Sequence, residues 1–549
     1  MMAKGLRNKR RLQRFARSLT VIALIALVGG SASADDRGFF FFFFPGNLVV
    51  SRSVYDNNPN NVTVGETLPP NCASTTGGCS PGAVSNGTYP QVWNNNLSDG
   101  SFGITSKIFL DQVTPWGWRI GSLEVPNSSQ RYLPPGADQM VTSFSSKSEI
   151  ALNLSVDRKY LTFMGYVSPI DALDVSNANT PGVVDPTNPV GENVYRAVAQ
   201  VDWMGRFRFT ASNAYSGNNG RAAILNDAAD VLYTAGNAGN GSNPQPAGVI
   251  IAAGAQIMTP ETIPLAFQSP GEPTPVGSFS VTQLGYKADK VGKDDNFRGL
   301  TIFDNVIYFT KGSGGNGINT VYFIDTTGSA CPKGVGLPSS SATLPTSPLA
   351  YNPATVATSG LPSNMCILSG FNTVLAKTTT NVFPFGIWFA NANTLYVADE
   401  GDGKFADAAT STTAGLQKWI FNPTTKTWQM AYVLQAGLGL GVPYTVPGYP
   451  TGNNPATGLP WAPETDGLRN ITGIVNDRDN TATIYAITST VSGNGDQGAD
   501  PNRLVAITDD IAATTLPASE SFATLQTARF AEVLRGVSWT PDGGEHFPH

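Results

Sequence analysis

The chain has 549 residues, with 34 Lys or Arg against 40 Asp or Glu and only two histidines. Charged residues make up 13% of it, while glycine fills 58 positions and proline 39. This turn-rich, charge-poor balance excludes a helix-rich fold, and the lack of a basic surplus excludes a duplex nucleic acid partner. In chain order, Lys4, Arg7, Lys9, Arg10, Arg11, Arg14 and Arg17 form a basic stretch, Leu19 to Val28 a short apolar run, and Ala32-Ser33-Ala34 a small-x-small cleavage pattern. Residues 1–34 are therefore predicted to be a removed signal peptide, and 35–549 a single domain with long loops. The apolar run is about half of the ~20 residues needed to cross a bilayer. The mature part is expected to have no transmembrane anchor and to be secreted, periplasmic or held at the cell surface. Removal of the leader leaves 27 basic residues against 40 acidic ones, a net charge of −13.

Phe39–Phe44 follows the cleavage pattern and is predicted to pack as a strand or edge segment under the blade that closes the fold, the alternative being an exposed adhesive or membrane-touching tag. The four cysteines fall into two local pairs. In an exported chain these read as loop-stapling disulfides, Cys72–Cys79 and Cys331–Cys366. A zinc site would need a different pattern, since no Cys-x-x-Cys occurs and the histidines are His546 and His549 in the tail.

Between these landmarks runs a repeated order of short strands. Glu149–Leu154, Tyr160–Met164, Tyr195–Val201 and Arg206–Thr210 make one set of four. Arg221–Leu225 and Val231–Ala235 open the next, with Gly248–Ala253 and Ser278–Thr282 as its outer strands. Arg298–Phe303, Val306–Thr310 and Thr320–Ile324 follow. The clearest set is Phe385–Asp399, a strand pair joined by an Asn-rich turn, then Gly415–Phe421 and Trp428–Leu434. Ile471–Val475, Thr483–Ile487 and Leu504–Ile507 form a fifth. Arg535–Trp539 is an inner strand with no chain left after it, and Asn47–Arg52, Lys107–Asp111 and Ile120–Glu124 supply what it lacks. The reading is an all-β, six-bladed β-propeller whose last blade is shared by both termini, which removes open sheet edges. A seventh blade is the alternative if Ser329–Thr380 holds another unit.

Pro384-Phe-Gly-Ile387 followed by Leu395-Tyr-Val-Ala-Asp399 resembles the NHL repeat, and the opening Pro45–Val50 resembles a poorly characterised group of secreted bacterial propellers. Gluconolactonase-like propellers are six-bladed relatives by fold. The resemblance implies architecture; chemistry has to be argued from the site.

The long connections fall on one rim, the top face, where inner strands begin: Val167–Val194, Gly236–Ala247, Asp399–Ala414, Ser489–Arg503 and Tyr55–Gly100. Ligand-binding candidates stand at that rim, namely Arg221, Arg298, Arg469 and Arg535, with Asn219, Asn296, Asn470 and Glu149 beside them. Such arginines either grip an anionic ligand or tie neighbouring blades through carboxylates. Asp399, Glu400, Asp402, Asp496 and Asp500 lie in acidic glycine-rich loops that offer oxygen ligands to a cation such as calcium, the only cofactor the sequence suggests. With no histidine in any blade, His-dependent hydrolysis lacks its base. The expected function is a binding scaffold for an extracellular protein, a glycan or a small molecule. The alternative is a calcium-dependent lactonase or esterase in which Glu149, Asn296 and Asn470 take the metal-holding places of the gluconolactonase-like enzymes.

Overall fold

The computed structural model describes residues 41–543 apart from 69–82, 94–102, 131–137, 145–149, 185–189, 238–254, 270–273, 276–295, 313–316, 348–363, 377, 379–381, 456 and 495–497. Six sheets form a β-propeller. From the inner strand outward, blade 1 holds Asn153–Leu154, Tyr160–Tyr166, Arg196–Asp202 and Phe207–Ser212, and blade 2 holds Gly220–Asn226, Val231–Gly236, Ala255–Met258 and Thr274–Pro275. Blade 3 holds Phe297–Phe303, Val306–Lys311, Thr320–Ile324 and Met365–Leu368, with Val335–Gly336 parallel to the last. Blade 4 holds Pro384–Asn391, Thr394–Asp399, Gly415–Asn422 and Thr427–Leu434. Blade 5 holds Glu464–Asn476, Thr481–Val491, Arg503–Asp510 and Ala523–Thr527. Blade 6 holds Glu532–Trp539, Leu48–Val54, Ile104–Val113 and Arg119–Glu124.

The inner strands of blades 1 to 6 touch one another in order around the ring, and blade 6 touches blade 1 again. Closure is made by the two ends of the chain. Leu48 pairs with Trp539 and Val54 with Glu532 on one side, while Leu48 pairs with Val113 on the other. Side chains reinforce it. The Arg52 guanidinium donates to both Asp111 oxygens at 2.7 and 3.1 Å and to Glu532 Oε1 at 2.8 Å, so one cation links the N-terminal strand to both neighbours.

Each blade presses a face on the next, so second strands are buried on both sides. Val306–Lys311 and Thr394–Asp399 have no exposed position, which is why they read as nearly continuous apolar runs. Apolar layers fill the joins: Met164, Val198, Ala223 and Leu232 between blades 1 and 2, Tyr396, Leu416, Ile484 and Ile507 between blades 4 and 5, and Val49, Leu110 and Phe163 between blades 6 and 1. Glycine lets inner strands meet backbone to backbone. A Cβ on Gly299 would lie 2.1 Å from the Phe385 carbonyl oxygen, and one on Gly386 2.4 Å from that of Arg469. Lower-face hairpins are tight. Asp304 and Asn305 both have positive φ, as a two-residue type I′ turn requires.

Several expectations need correction or placement. The third strand of blade 2 is Ala255–Met258; Gly248–Ala253 and Ser278–Thr282, expected as its outer strands, lie outside the described residues. Its fourth strand is Thr274–Pro275. The Gly/Ala-rich run 247–256 has apolar side chains at most positions, so periodicity does not fix its register. The interval Ser329–Thr380 contributes the edge of blade 3, not a seventh blade, among the described residues. The described part of the phenylalanine run, 41–44, packs between blades 6 and 1 without strand structure: Phe43 is buried, its N–H donates to the Trp203 carbonyl at 2.8 Å, and Phe42 lies tilted against Trp203, while Phe39 and Phe40 lie outside the described residues. Cys331 and Cys366 are joined in a disulfide that ties the segment after the third strand of blade 3 to its fourth. Cys72 and Cys79 lie outside the described residues.

Candidate functional site

The inner strands of blades 3 and 5 carry Arg298 and Arg469 into the top of the ring, and the turn leaving the second strand of blade 4 places Glu400 between them. Arg298 Nη2 is 3.2 Å from Glu400 Oε1, and Arg469 Nε donates to Glu400 Oε2 at 3.3 Å. All three side chains are buried, so one carboxylate joins three consecutive blades. Arg298 also lies over the Phe385 ring of blade 4. The turn is held in place by Ser489 Oγ, which donates to the Glu400 carbonyl at 2.5 Å, and by Gly401, whose positive φ brings it against the Asp466 carboxyl.

The other arginines follow the same habit. Arg221 of blade 2 donates to Asn296 Oδ1 and, at 2.9 Å, to the Phe297 carbonyl of blade 3. Arg535 donates from Nε to Ser53 Oγ at 3.0 Å within blade 6 and lies over Phe144. Asn470 Oδ1 accepts the Val537 N–H of blade 6 at 2.6 Å, and the Asn296 N–H donates to Asn237 Oδ1. Asn219 sits just before the inner strand of blade 2, where its carbonyl accepts the Asn237 N–H. Glu149 lies outside the described residues. The fold thus brings Arg298, Arg469 and Glu400 to one point, while Arg221 stands at the join of blades 2 and 3 and Arg535 bonds within blade 6.

Two further carboxyls flank Glu400. Burial pushes Asp399 up to about 8, although the Phe383 and Gly401 N–H groups donate to it at 2.7 and 3.0 Å. Burial likewise pushes Asp466 up to about 7 while the Gly403 N–H donates to its Oδ2 at 2.9 Å. Asp466 has no sequence signal of its own beyond its position three residues before Arg469. A carboxyl ionising near neutrality suits a general acid, but such a group has to reach substrate. Asp399 is 0% exposed and Asp466 2%.

The acidic loops do not converge. Asp402 is half-buried and pairs with Lys404 at 2.8 Å; burial alone would raise it, and the ammonium and neighbouring donors bring it below the usual range. Asp500 stands elsewhere on the top face, accepting from Tyr449 Oη at 2.5 Å, Ser492 Oγ at 2.9 Å and Asn494 Nδ2 at 3.4 Å, and burial pushes it up to about 6. Asp496 lies outside the described residues. Among the described residues, three ligand-type side chains approach within 4.8 Å only at Asp325, Cys331 and Cys366, where the two sulfurs are bonded to each other.

Around Asp500 the top-face loops lock together over an aromatic cluster that the sequence did not announce. Tyr55 packs edge-on against Trp93 and Tyr89 against Phe530, and Trp93 lies against Phe144. Tyr89 Oη donates to the Ala499 carbonyl at 2.6 Å and Tyr444 Oη to that of Pro501 at 2.7 Å. These long loops are therefore a built surface over blades 5 and 6.

Neither a family model nor a curated protein matches the sequence. Among solved structures the chain is similar to a protein from Lactobacillus plantarum at 8% identity and a TM-score of 0.31, over 78% of this chain and 81% of that one. It is similar to an ulvan lyase from a new family of polysaccharide lyases at 10% identity and a TM-score of 0.28, over 78% and 90%. A third likeness is to an exo-β-1,3-galactanase from Clostridium thermocellum at 9% and 0.29, over 74% and 67%. Likenesses this remote leave activity to be read from the chain's own residues.

Proposed function

We propose that this chain is an exported, non-catalytic propeller that binds a partner through its surface. The observation that carries this reading is the Arg298–Glu400–Arg469 bridge: at the mouth of the ring, where a propeller enzyme would hold reacting groups, the charged side chains are buried against one another and join blades. Asn296 and Asn470, the residues a lactonase-type metal site would draw on, turn their side-chain oxygens to protein donors. The interlocked top-face loops, resting on a rigid ring, give a large preformed surface for a protein or glycan. No helix among the described residues is long and apolar enough to cross a membrane, and the Cys331–Cys366 disulfide fits an oxidising compartment. The test is a panel of lactones, carboxylic esters and phosphoesters incubated with the chain from Asp35 onward, with and without chelator. The expected result is no turnover above buffer. Turnover that a chelator abolishes and calcium restores would overturn the reading.

A further inference from the structure

The chain leaves the second strand of blade 5 through Ser492, Gly493 and Asn494 and enters the third through Ala499 and Asp500. The two ends meet inside the aromatic lock of the top face. Asp500 Oδ1 takes three donors there, Tyr449 Oη at 2.5 Å, Ser492 Oγ at 2.9 Å and Asn494 Nδ2 at 3.4 Å, and Thr490 touches the same carboxyl. The second oxygen of each group is left over. Asp500 Oδ2 and Asn494 Oδ1 are buried and accept no hydrogen bond, in residues that are 1% and 0% exposed. A third such oxygen belongs to the inner strand: Thr465 stands opposite Thr490 across the ladder, and its Oγ1 is buried and unbonded. No ion pair reaches Asp500 among the described residues; Arg503 lies over the Tyr444 ring and Arg535 over that of Phe144.

A buried carboxylate without a counter-charge is destabilising, and unbonded acceptor oxygens beside it add to the cost. A water molecule would meet the hydrogen bonds and leave the charge. A hard cation meets both. We propose that Asp500 Oδ2, Asn494 Oδ1 and Thr465 Oγ1 frame a calcium site inside the top-face lock. One carboxylate with amide and hydroxyl oxygens, and no nitrogen or sulfur, is the donor chemistry of that ion, which accepts irregular oxygen sets and completes them with water. The consequence falls on the surface that the binding reading uses. The Ala499 and Pro501 carbonyls accept from Tyr89 and Tyr444, and the Asp500 carboxylate from Tyr449, so the segment around Asp500 anchors the loops that carry these tyrosines. A cation on Asp500 holds that lock in one arrangement and takes part in no reaction.

The inference goes beyond the binding reading, and its test reads stability; a calcium response without turnover, or no response at all, leaves that reading standing. The chain is stripped with EDTA and unfolded in urea at constant ionic strength, with calcium chloride or sodium chloride added back. Asp500→Asn, Asn494→Asp and Asp402→Asn are treated alike. Calcium is expected to raise the urea midpoint of the parent, with half of the effect at about 10⁻⁴–10⁻³ M, and sodium to leave it unchanged. Asp500→Asn keeps the shape of the side chain and is expected to lose the response. Asn494→Asp adds a second carboxylate, so it is expected to respond at about tenfold lower calcium and to be less stable than the parent without it. Asp402→Asn, on the other acidic loop, is expected to respond as the parent does. A parent that calcium does not stabilise, an equal shift with sodium, an undiminished response in Asp500→Asn or a lost one in Asp402→Asn overturns the proposal. Should Asp500→Asn fail to fold, Asn494→Asp decides, and a response no tighter than the parent's overturns it.

Discussion

The joins between blades 3, 4 and 5 and the lower rim of blade 6 invert the ordinary distribution of side chains. In the joins, charged groups are buried: Arg298, Glu400 and Arg469 near the top, and Lys418 with Asp509 between blades 4 and 5. On the rim, in the turn Thr114–Trp118, Trp116 and Trp118 stand in water, 78% and 76% exposed. The first placement is offset inside the molecule, because every buried charge named here meets a counter-charge. Lys418 Nζ is 2.8 Å from Asp509 Oδ2 and also donates to Tyr432 Oη and to the Asp510 and Ala513 carbonyls. The second has no such offset within the chain. Costs met internally indicate structure, and a cost left open on the surface indicates a partner.

The sharpest way to break this contrast is to remove one half of a buried pair. Lys418→Met strands Asp509, whose oxygens also accept from Tyr396 and Tyr432, and is expected to lower unfolding free energy by about 3–5 kcal/mol in urea titrations. A loss below about 1 kcal/mol would mean that the join does not depend on the pair. Arg52→Ala is expected to cost less, about 1.5–3 kcal/mol, because its pairs lie nearer the surface and the backbone ladder between the termini persists. A variant of unchanged stability would show that closure rests on the ladder alone.

The flanking carboxyls give a pH signature of opposite sign to that of ordinary ion-paired acids. Asp399 and Asp466 ionise near 8 and 7 in the folded chain, and Glu520, raised by burial and by Asp509, near 7, whereas unfolded carboxyls ionise near 4. Between these values the folded chain holds more protons than the unfolded one, so the stability these groups confer is full at about pH 4 and is lost as pH rises through 7 and 8. Urea midpoints measured from pH 5 to pH 8.5 are expected to fall, and Asp466→Asn to flatten the slope. Midpoints that rise over this range would contradict the burial described. Smallest of all is the expected effect of W116A/W118A on stability, within about 0.5 kcal/mol, since exposed side chains contribute little to folding. A large loss would place the tryptophans in the core of the account of stability and remove the contrast.

Much of the architecture was legible in the sequence because neighbouring strands pack against well-patterned neighbours. Blades 4 and 5 follow their apolar runs closely, the inner strand of blade 1 is shorter than its run, Asn153–Leu154 instead of Glu149–Leu154, and the missing partners of Arg535–Trp539 pointed to closure by Leu48–Val54. The outer strands of blade 2 were not legible, because a Gly/Ala run offers no period. The arginine positions were legible from their place in each repeat. What Glu400 does was not: it reads as part of an acidic calcium loop, while its partners Arg298 and Arg469 are about a hundred and seventy residues apart and meet only through the ring. The aromatic lock at Tyr89 and Asp500 was hidden for the same reason. Trp116 and Trp118 did carry a signal, two aromatic residues flanking a glycine in a hairpin turn, but only exposure separates such a pair from a core cluster.

The most direct measurement compares Glu400→Gln with W116A/W118A side by side, each followed by urea unfolding. Glu400→Gln removes the carboxylate shared by two buried guanidinium groups and is expected to lose about 3–5 kcal/mol of stability. The tryptophan variant is expected to keep its stability, because both side chains stand in solvent. A Glu400→Gln chain as stable as the parent, or a tryptophan variant that loses as much stability as Glu400→Gln, would contradict the division between a mouth that holds the ring together and a rim that contributes little to folding.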